Sequence, residues 1–282
     1  MRYYKLKSQF KGEQLSNVVD TLERLRRQLD ETIPPKDSQE NLLLATWNIR
    51  DFDKPSRAGT KGHGGRLPET FYYLAEIISR FDIVAVQEVN GMNEWEDLMF
   101  ILGPEWDYMA TGVTDAKLGG NGERLTFVFD RRKVSFKKII DEVVLPPHLE
   151  IGANKKDGTP GKQFNRTPVK AAFQSGWLKF DLCTVHIYYG SESGKKLEQR
   201  QQEIAAVANY LAKEAKAALK NERATFLLGD FNIVHPEHKT MEALLQSGFK
   251  IPTTLAIRTN VLDTKYYDQI AFMEGKGLLD YV

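Results

Sequence analysis

An α/β sandwich with sheet packed on sheet is the fold class this sequence predicts. Apolar runs of strand length recur from residue 42 to residue 272, several of them fall into long adjacent pairs, and amphipathic helices lie between them to cover the sheets.

The N-terminal segment places Leu15, Val18, Val19, Leu22 and Leu25 on one helix face. Pro34 and Pro35 stop that helix, because proline cannot continue the backbone ladder, and the polar stretch 36–40 reads as a linker. Residues 1–36 are therefore expected to be an accessory helix and linker, and 37–282 the main domain. Leu42 to Trp47 reads as a buried strand, Leu67 to Ser79 as a helix and Asp82 to Val86 as a second buried strand. Asn93 to Leu102 reads as helix, Thr126 to Phe129 as strand, and Val134 to Val144 as the next strand after a turn at Asp130 to Lys133. Lys170 to Phe173 and Trp177 to Val185 alternate as a hairpin. The longest helix spans Lys195 to Lys220, with Ile204, Ala208, Leu211, Ala215 and Leu219 at helical spacing. A short buried strand at Phe226 to Leu228, a helix near Glu237 to Gln246 and a strand near Tyr267 to Phe272 follow. No fixed-period repeat and no low-complexity tract interrupts the series.

The 282 residues carry 39 Lys+Arg against 38 Asp+Glu, a formal net charge of +1, with 41% hydrophobic and 27% charged residues. A chain of this length buries about 75% of its unfolded surface and needs no staples. Cys183 is the single cysteine, so no intrachain disulfide forms, which fits a reducing, cytoplasmic setting. The charged opening, Met1 to Glu13, has no apolar signal core, and no apolar run reaches the roughly 18 residues a bilayer demands. These features argue against an integral membrane protein, a disulfide scaffold, a disordered chain and a histone-like polycation. A monomer is expected.

Two loops are glycine-rich. Asp53 to Arg66 holds Lys54, Arg57, Lys61, His63 and Arg66, and Lys117 to Gly122 is the other. Each reads either as an exposed, mobile connection or as a flexible rim, basic in the first case, for an anionic substrate. Among the aromatics, Trp47 and Trp177 read as core.

The chemistry lies at strand ends. Leu42 to Trp47 runs into Asn48, Ile83 to Val86 into Gln87 and Glu88, Leu182 to Val185 into His186, and Phe226 to Gly229 into Asp230 and Asn232; Asp268 opens the last strand. A polar residue at one strand end is usually a cap or turn. Five together would form an oxygen-rich site for a hard divalent ion, with an imidazole nearby for proton transfer.

The segments Ala45 to Arg50, Val86 to Val89, Gly229 to Asn232 and Tyr267 to Ile270, in that order, resemble the signature segments of the DNase-I-like endonuclease/exonuclease/phosphatase family. Glu123 to Phe129, Asn165 to Pro168 and Thr184 to His186 resemble three more, so the likeness spans Leu42 to Phe272. It implies a four-layer α+β sandwich of two mixed sheets flanked by helices, and metal-dependent cleavage of phosphate esters. Carried over residue by residue, it implies Glu88 as the main ligand of Mg²⁺ (Mn²⁺ or Ca²⁺ in its place) with Asn48 beside it. His186 becomes the proton donor, oriented by Glu123, whose charge is expected to raise the imidazole pKa. Asp230 and Asn232 orient water or phosphate, Arg166 contacts the phosphate, Arg50 and Arg124 assist substrate binding, and Asp268 holds a second histidine. The sequence departs from the family pattern there, since no Ser-Asp-His segment follows Asp268. The expectation is a C-terminally incomplete copy that lacks its last strand.

The likeness of Trp47 to Arg50 and of Gln87 to Val89 to deoxyribonuclease I favours a DNA endonuclease. A phosphatase or phosphodiesterase for lipid head groups or small phosphate esters is the alternative, and a non-catalytic phosphate-binding module a second. His148, His235 and His238 read first as loop residues, and Cys183 as a small core residue.

Overall fold

Val84 and Val86 point to one side of their strand, Ile83 and Ala85 to the other, and all four are at most 1% exposed. A strand buried on both faces needs a layer on each side of it, and the computed structural model supplies them. It describes residues 1–36, 41–52, 66–113, 122–153, 158–255, 257–274 and 279. The basic segment 53–65, residues 117–121, linker residues 37–40 and Asp280 to Val282 lie outside them.

In chain order the elements are α1 (Leu6–Gln9), α2 (Gly12–Thr32), β1 (Leu44–Phe52), α3 (Thr70–Ile78), β2 (Ile83–Val89), α4 (Met92–Leu102), β3 (Trp106–Ala110), β4 (Arg124–Asp130), β5 (Ser135–Glu142), β6 (Val169–Ser175), β7 (Leu178–His186), α5 (Gly194–Ala218), β8 (Arg223–Asp230), α6 (Lys239–Leu245) and β9 (Asp268–Met273). One mixed sheet runs β1-β2-β4-β3, the other β5-β6-β7-β8-β9. β1 and β2 are parallel, as are β7 and β8; every other pair is antiparallel.

Three apolar interfaces hold the four layers. Val18, Leu22, Phe71, Leu74, Trp95 and Leu98 cover the outer face of the first sheet, with Val84 and Val86 beneath them. Between the sheets, Phe173 meets Phe127, Phe129, Phe136 and Phe180 at centroid distances of 5.5–5.9 Å. On the far side, Ile204, Val207, Ala208, Leu211 and Ala215 of α5 pack on Cys183, Val185 and Leu227. The α5 positions recur every three or four residues, so one helix stripe covers the sheet. Among the described residues, no helix is long and apolar enough to cross a membrane.

Two aromatics depart from expectation. Trp177 is 72% exposed, because Gly176 at φ 55° turns the β6–β7 hairpin there and leaves Trp177 at its tip. Trp47 is half-buried rather than core. The strand β3 was not expected: it is five residues long, lies at a sheet edge and is interrupted by Asp107.

Candidate active site

The ladders of the first sheet break at one end. β1 pairs regularly with β2 as far as Asn48 opposite Gln87, then shifts register before Phe52 meets Val89. β2 shifts against β4 between Val86 and Val89. Arg50, Asp51 and Glu88 take left-handed backbone at φ 55°, 47° and 64°. That conformation costs a non-glycine residue about 1–2 kcal/mol, and such strain collects at functional sites. Arg66 braces the distortion by donating to the carbonyls of Asp51 at 3.0 Å, Arg50 at 2.7 Å and Ile49. Of the loop that reads either as an exposed connection or as a basic rim, Arg66 therefore serves the backbone.

In the second sheet, β7 and β8 run in register to His186 opposite Asp230, and Asp230 also faces Asp268 on β9. Gly229 sits at φ 137°, and a Cβ there would collide with the Val185 carbonyl. Only glycine lets the two strands approach so closely beside His186. Asn232, at φ 54°, donates its backbone N–H to Asp230 Oδ1 and its side-chain Nδ2 to the Ile187 carbonyl, both at 2.8 Å.

These two ends meet. Asn48 Nδ2 donates to Glu88 Oε1 at 2.8 Å and across the sheets to Asp230 Oδ2 at 2.9 Å. Its own oxygen accepts the Arg50 N–H at 2.9 Å. The Asp51 N–H donates to Glu88 Oε2 at 2.8 Å. His186 Nδ1 lies 3.1 Å from Glu123 Oε1, while Nε2 lies 3.7 Å from Glu88 and 3.9 Å from Asp230. The same Glu123 oxygen contacts Arg166 Nε. Beneath them, buried Gln87 donates to Thr46 at 3.1 Å and to Thr184 of the other sheet at 3.0 Å, which ties the strands carrying Glu88 and His186 together.

The electrostatics are those of crowded carboxylates. Burial, then Asp230, pushes the Asp268 carboxyl up to about 7. Burial also pulls the His186 imidazole below its ordinary value, with Asp230 and Glu88 opposing. The expected upward shift is absent because desolvation outweighs the carboxylates. Burial likewise lowers Arg166, against Glu203, Glu88 and Asp230. Asp268 Oδ1 is buried and has no hydrogen-bond partner among the described residues. Glu88, Glu123 and His186 can each offer one atom within 4.8 Å of the others. An all-oxygen and imidazole donor set with excess negative charge fits a hard divalent cation.

Asn48, Glu88, Glu123, Arg166, His186, Asp230, Asn232 and Asp268 thus come together. Arg124 instead donates to the Asn90 carbonyl at 3.0 Å, and Arg50 is exposed at the margin. His235 is exposed against Tyr266, and His238 caps α6 by accepting the Thr240 N–H. Two residues at the site's back carried no sequence signal. Arg200 is fully buried and donates to the carbonyls of Tyr189, Ser191 and Asn232. Glu203, also fully buried, accepts from Asn165 Nδ2 at 3.2 Å. Both sit in the charged first half of α5, where the pattern reads as a solvated face.

No protein-family model matches the sequence, and no curated protein matches it. Solved structures do match. A mannosyl-6-phosphatase from Bacteroides thetaiotaomicron aligns with a TM-score of 0.56 at 18% identity, covering 82% of this chain and 85% of that one. An endonuclease/exonuclease/phosphatase family protein from the same organism aligns with a TM-score of 0.56 at 18% identity, covering 82% of each chain. D. rerio TDP2, solved with a single-strand DNA product, aligns with a TM-score of 0.53 at 13% identity, covering 83% and 84%. At such identities the likeness is one of architecture, and it agrees with seven motifs in family order: the chain has the fold of the endonuclease/exonuclease/phosphatase proteins.

Proposed function

We propose that this protein is a divalent-metal-dependent phosphodiester hydrolase acting on DNA. The observation that carries the reading is the convergence, across two sheets, of Glu88, Asp230 and Asp268 with Asn48, His186 and Arg166. Glu88 is the residue that would hold the ion, with the Asn48 amide oxygen beside it once that amide turns over; Glu123 is already engaged by Arg166 and His186. A bound Mg²⁺ would supply charge neutralisation on the phosphate. His186 presents Nε2 to the site while Nδ1 stays against Glu123, so it gives a proton from Nε2 to a phosphate oxygen or the leaving group only as the imidazolium, the form that burial opposes and Asp230 and Glu88 favour. Arg166 offers its planar fork to the phosphate. Asp230, fixed by the Asn232 N–H, orients the attacking water. Support for DNA comes from the deoxyribonuclease-like segments around Asn48 and Glu88, and from a neighbour solved with single-strand DNA product.

A second reading, hydrolysis of a small sugar phosphate, is favoured by the mannosyl-6-phosphatase among the neighbours. A Mg²⁺-supplemented screen across plasmid DNA, RNA, abasic DNA, inositol phosphates and mannose 6-phosphate tests both. Cleavage of DNA that weakens steeply with salt, as counterion release requires, is the expected result. Turnover of mannose 6-phosphate without DNA cleavage selects the second reading, and phosphate binding without turnover of any substrate leaves a binding module.

A further inference from the structure

Beside the carboxylate cluster, on the α5 side of the rim, two tyrosines from different loops meet. Tyr189 follows His186 by three residues, and Tyr267 immediately precedes Asp268. Their rings are 6.2 Å apart at 67°. The pair belongs to the site electrostatically, since burial and then Tyr189 push the Tyr267 hydroxyl up to about 12, with Asp230 among the contributing charges. Both loops are held. The Phe231 N–H donates to the Tyr267 carbonyl at 2.8 Å, and Arg200 Nε donates to the Tyr189 carbonyl at 2.9 Å. The Arg200 guanidinium also lies under the Tyr189 ring, 4.6 Å from its centroid. Through its bond to the Asn232 carbonyl at 2.8 Å, the same buried arginine anchors the loop that follows Asp230.

Tyr189 nevertheless remains 41% exposed. An aromatic ring held this firmly and left this open is preorganised to receive something flat, because little conformational entropy remains to be lost on contact. Nearby, Lys265 is paired to Glu192 at 3.0 Å and the Arg200 guanidinium is turned to backbone carbonyls, so the open face of the ring suits an uncharged planar group.

We propose that Tyr189 and Tyr267 form a stacking platform for a nucleobase joined to the phosphate that the carboxylate cluster and Arg166 bind. This rests on the phosphate-binding reading above and deepens it, by making the base beside the scissile phosphate a recognised group. The base stacks on Tyr189, with Tyr267 closing the edge and Arg200 fixing the ring from beneath. Such stacking is sequence-tolerant, because every base has a π-face.

The test measures equilibrium binding in Mg²⁺ of thymidine 5′-monophosphate, deoxyribose 5-phosphate, mannose 6-phosphate and inorganic phosphate. Base–aromatic stacking corresponds to about 5- to 150-fold in affinity, so the wild type is expected to prefer thymidine 5′-monophosphate over deoxyribose 5-phosphate by that range. Tyr189→Leu should erase the preference while phosphate affinity holds, and Tyr189→Phe should keep it. Equal wild-type affinity for the nucleotide, deoxyribose 5-phosphate and inorganic phosphate overturns the platform and leaves the phosphate site standing. Mannose 6-phosphate binding as tightly as the nucleotide assigns the rings to a sugar and overturns the base. Tyr189→Leu weakening all four ligands alike makes Tyr189 structural and overturns the proposal. Binding of none of the four sinks the phosphate-site reading together with this one.

Discussion

Glu203 should make the protein less stable as pH rises through neutrality. It is fully buried on α5, and one carboxylate oxygen has no hydrogen-bond partner among the described residues. Burial pushes its carboxyl from 4.5 up to about 7, although Asn165 and Arg166 pull it down. The folded state therefore holds this proton over a range in which the unfolded chain has released it. Wherever the folded state binds more protons, stability falls with rising pH. The loss begins near the unfolded value and is complete once pH exceeds the folded one, a window from about 4.5 to about 7. Each pH unit across that window costs about 1.4 kcal/mol, so the ionised carboxylate destabilises the fold by about 3 kcal/mol above it. Glu203→Gln mimics the protonated form at nearly constant shape, keeps an acceptor for Asn165 and removes the titration. Urea unfolding of both proteins from pH 5 to pH 8 isolates the group, because every other titration is common to the two. The difference should be small at pH 5 and grow to about 3 kcal/mol in favour of the glutamine at pH 8. A difference that is flat across the range, or a variant less stable than wild type at pH 8, would show that Glu203 does not carry a raised pKa in the fold. The second result would mean that Arg166 needs this charge more than burial opposes it.

Two further outcomes follow from the site. His186→Ala removes the group whose Nε2 faces Glu88 and Asp230, and turnover should fall by ~10²–10⁴-fold, the usual worth of positioned acid catalysis, in a variant that still unfolds cooperatively; a loss under tenfold contradicts the donor role. Gly229→Ala forces a Cβ against the Val185 carbonyl at φ 137°, and should destabilise by more than about 1 kcal/mol while depressing turnover, because it separates His186 from Asp230; an unaltered denaturation midpoint contradicts that account.

The local pattern reveals where an apolar run gives way to polar residues, and so Asn48, Glu88, His186 and Asp230 are legible in the sequence itself, although β1 continues past Asn48 to Phe52 beyond the break in its ladder. Each follows an apolar run whose period places it at a rim. Their roles in the family were legible only through resemblance, because a short motif names a residue type without saying which neighbour it meets. The structure adds the meeting: Asn48 joins Glu88, 40 residues away in sequence, to Asp230, 182 residues away, and long-range pairing of that kind leaves no local trace. Arg200 shows the same gap from the other direction. In a helix segment rich in Lys, Glu, Arg and Gln it reads as solvated, yet it is fully buried because three carbonyls from two loops converge on it. Trp177 departs for the opposite reason. Its aromatic bulk suggests core, but the backbone turn at Gly176 decided its place. The brief edge strand β3 escaped because its half-exposed residues carry too little alternation to stand out.

If a divalent ion held at Glu88 drives phosphodiester cleavage, cleavage must need both the metal and that carboxylate. Nicking of supercoiled plasmid is followed across a Mg²⁺ titration for the wild type and for Glu88→Gln, which keeps the side chain's shape and removes its charge. The wild type should nick DNA only with metal and stop in EDTA. Glu88→Gln should unfold at the wild-type temperature in EDTA and show no metal-dependent nicking at any Mg²⁺ concentration. Cleavage by Glu88→Gln at the wild-type rate in Mg²⁺ would contradict the claim.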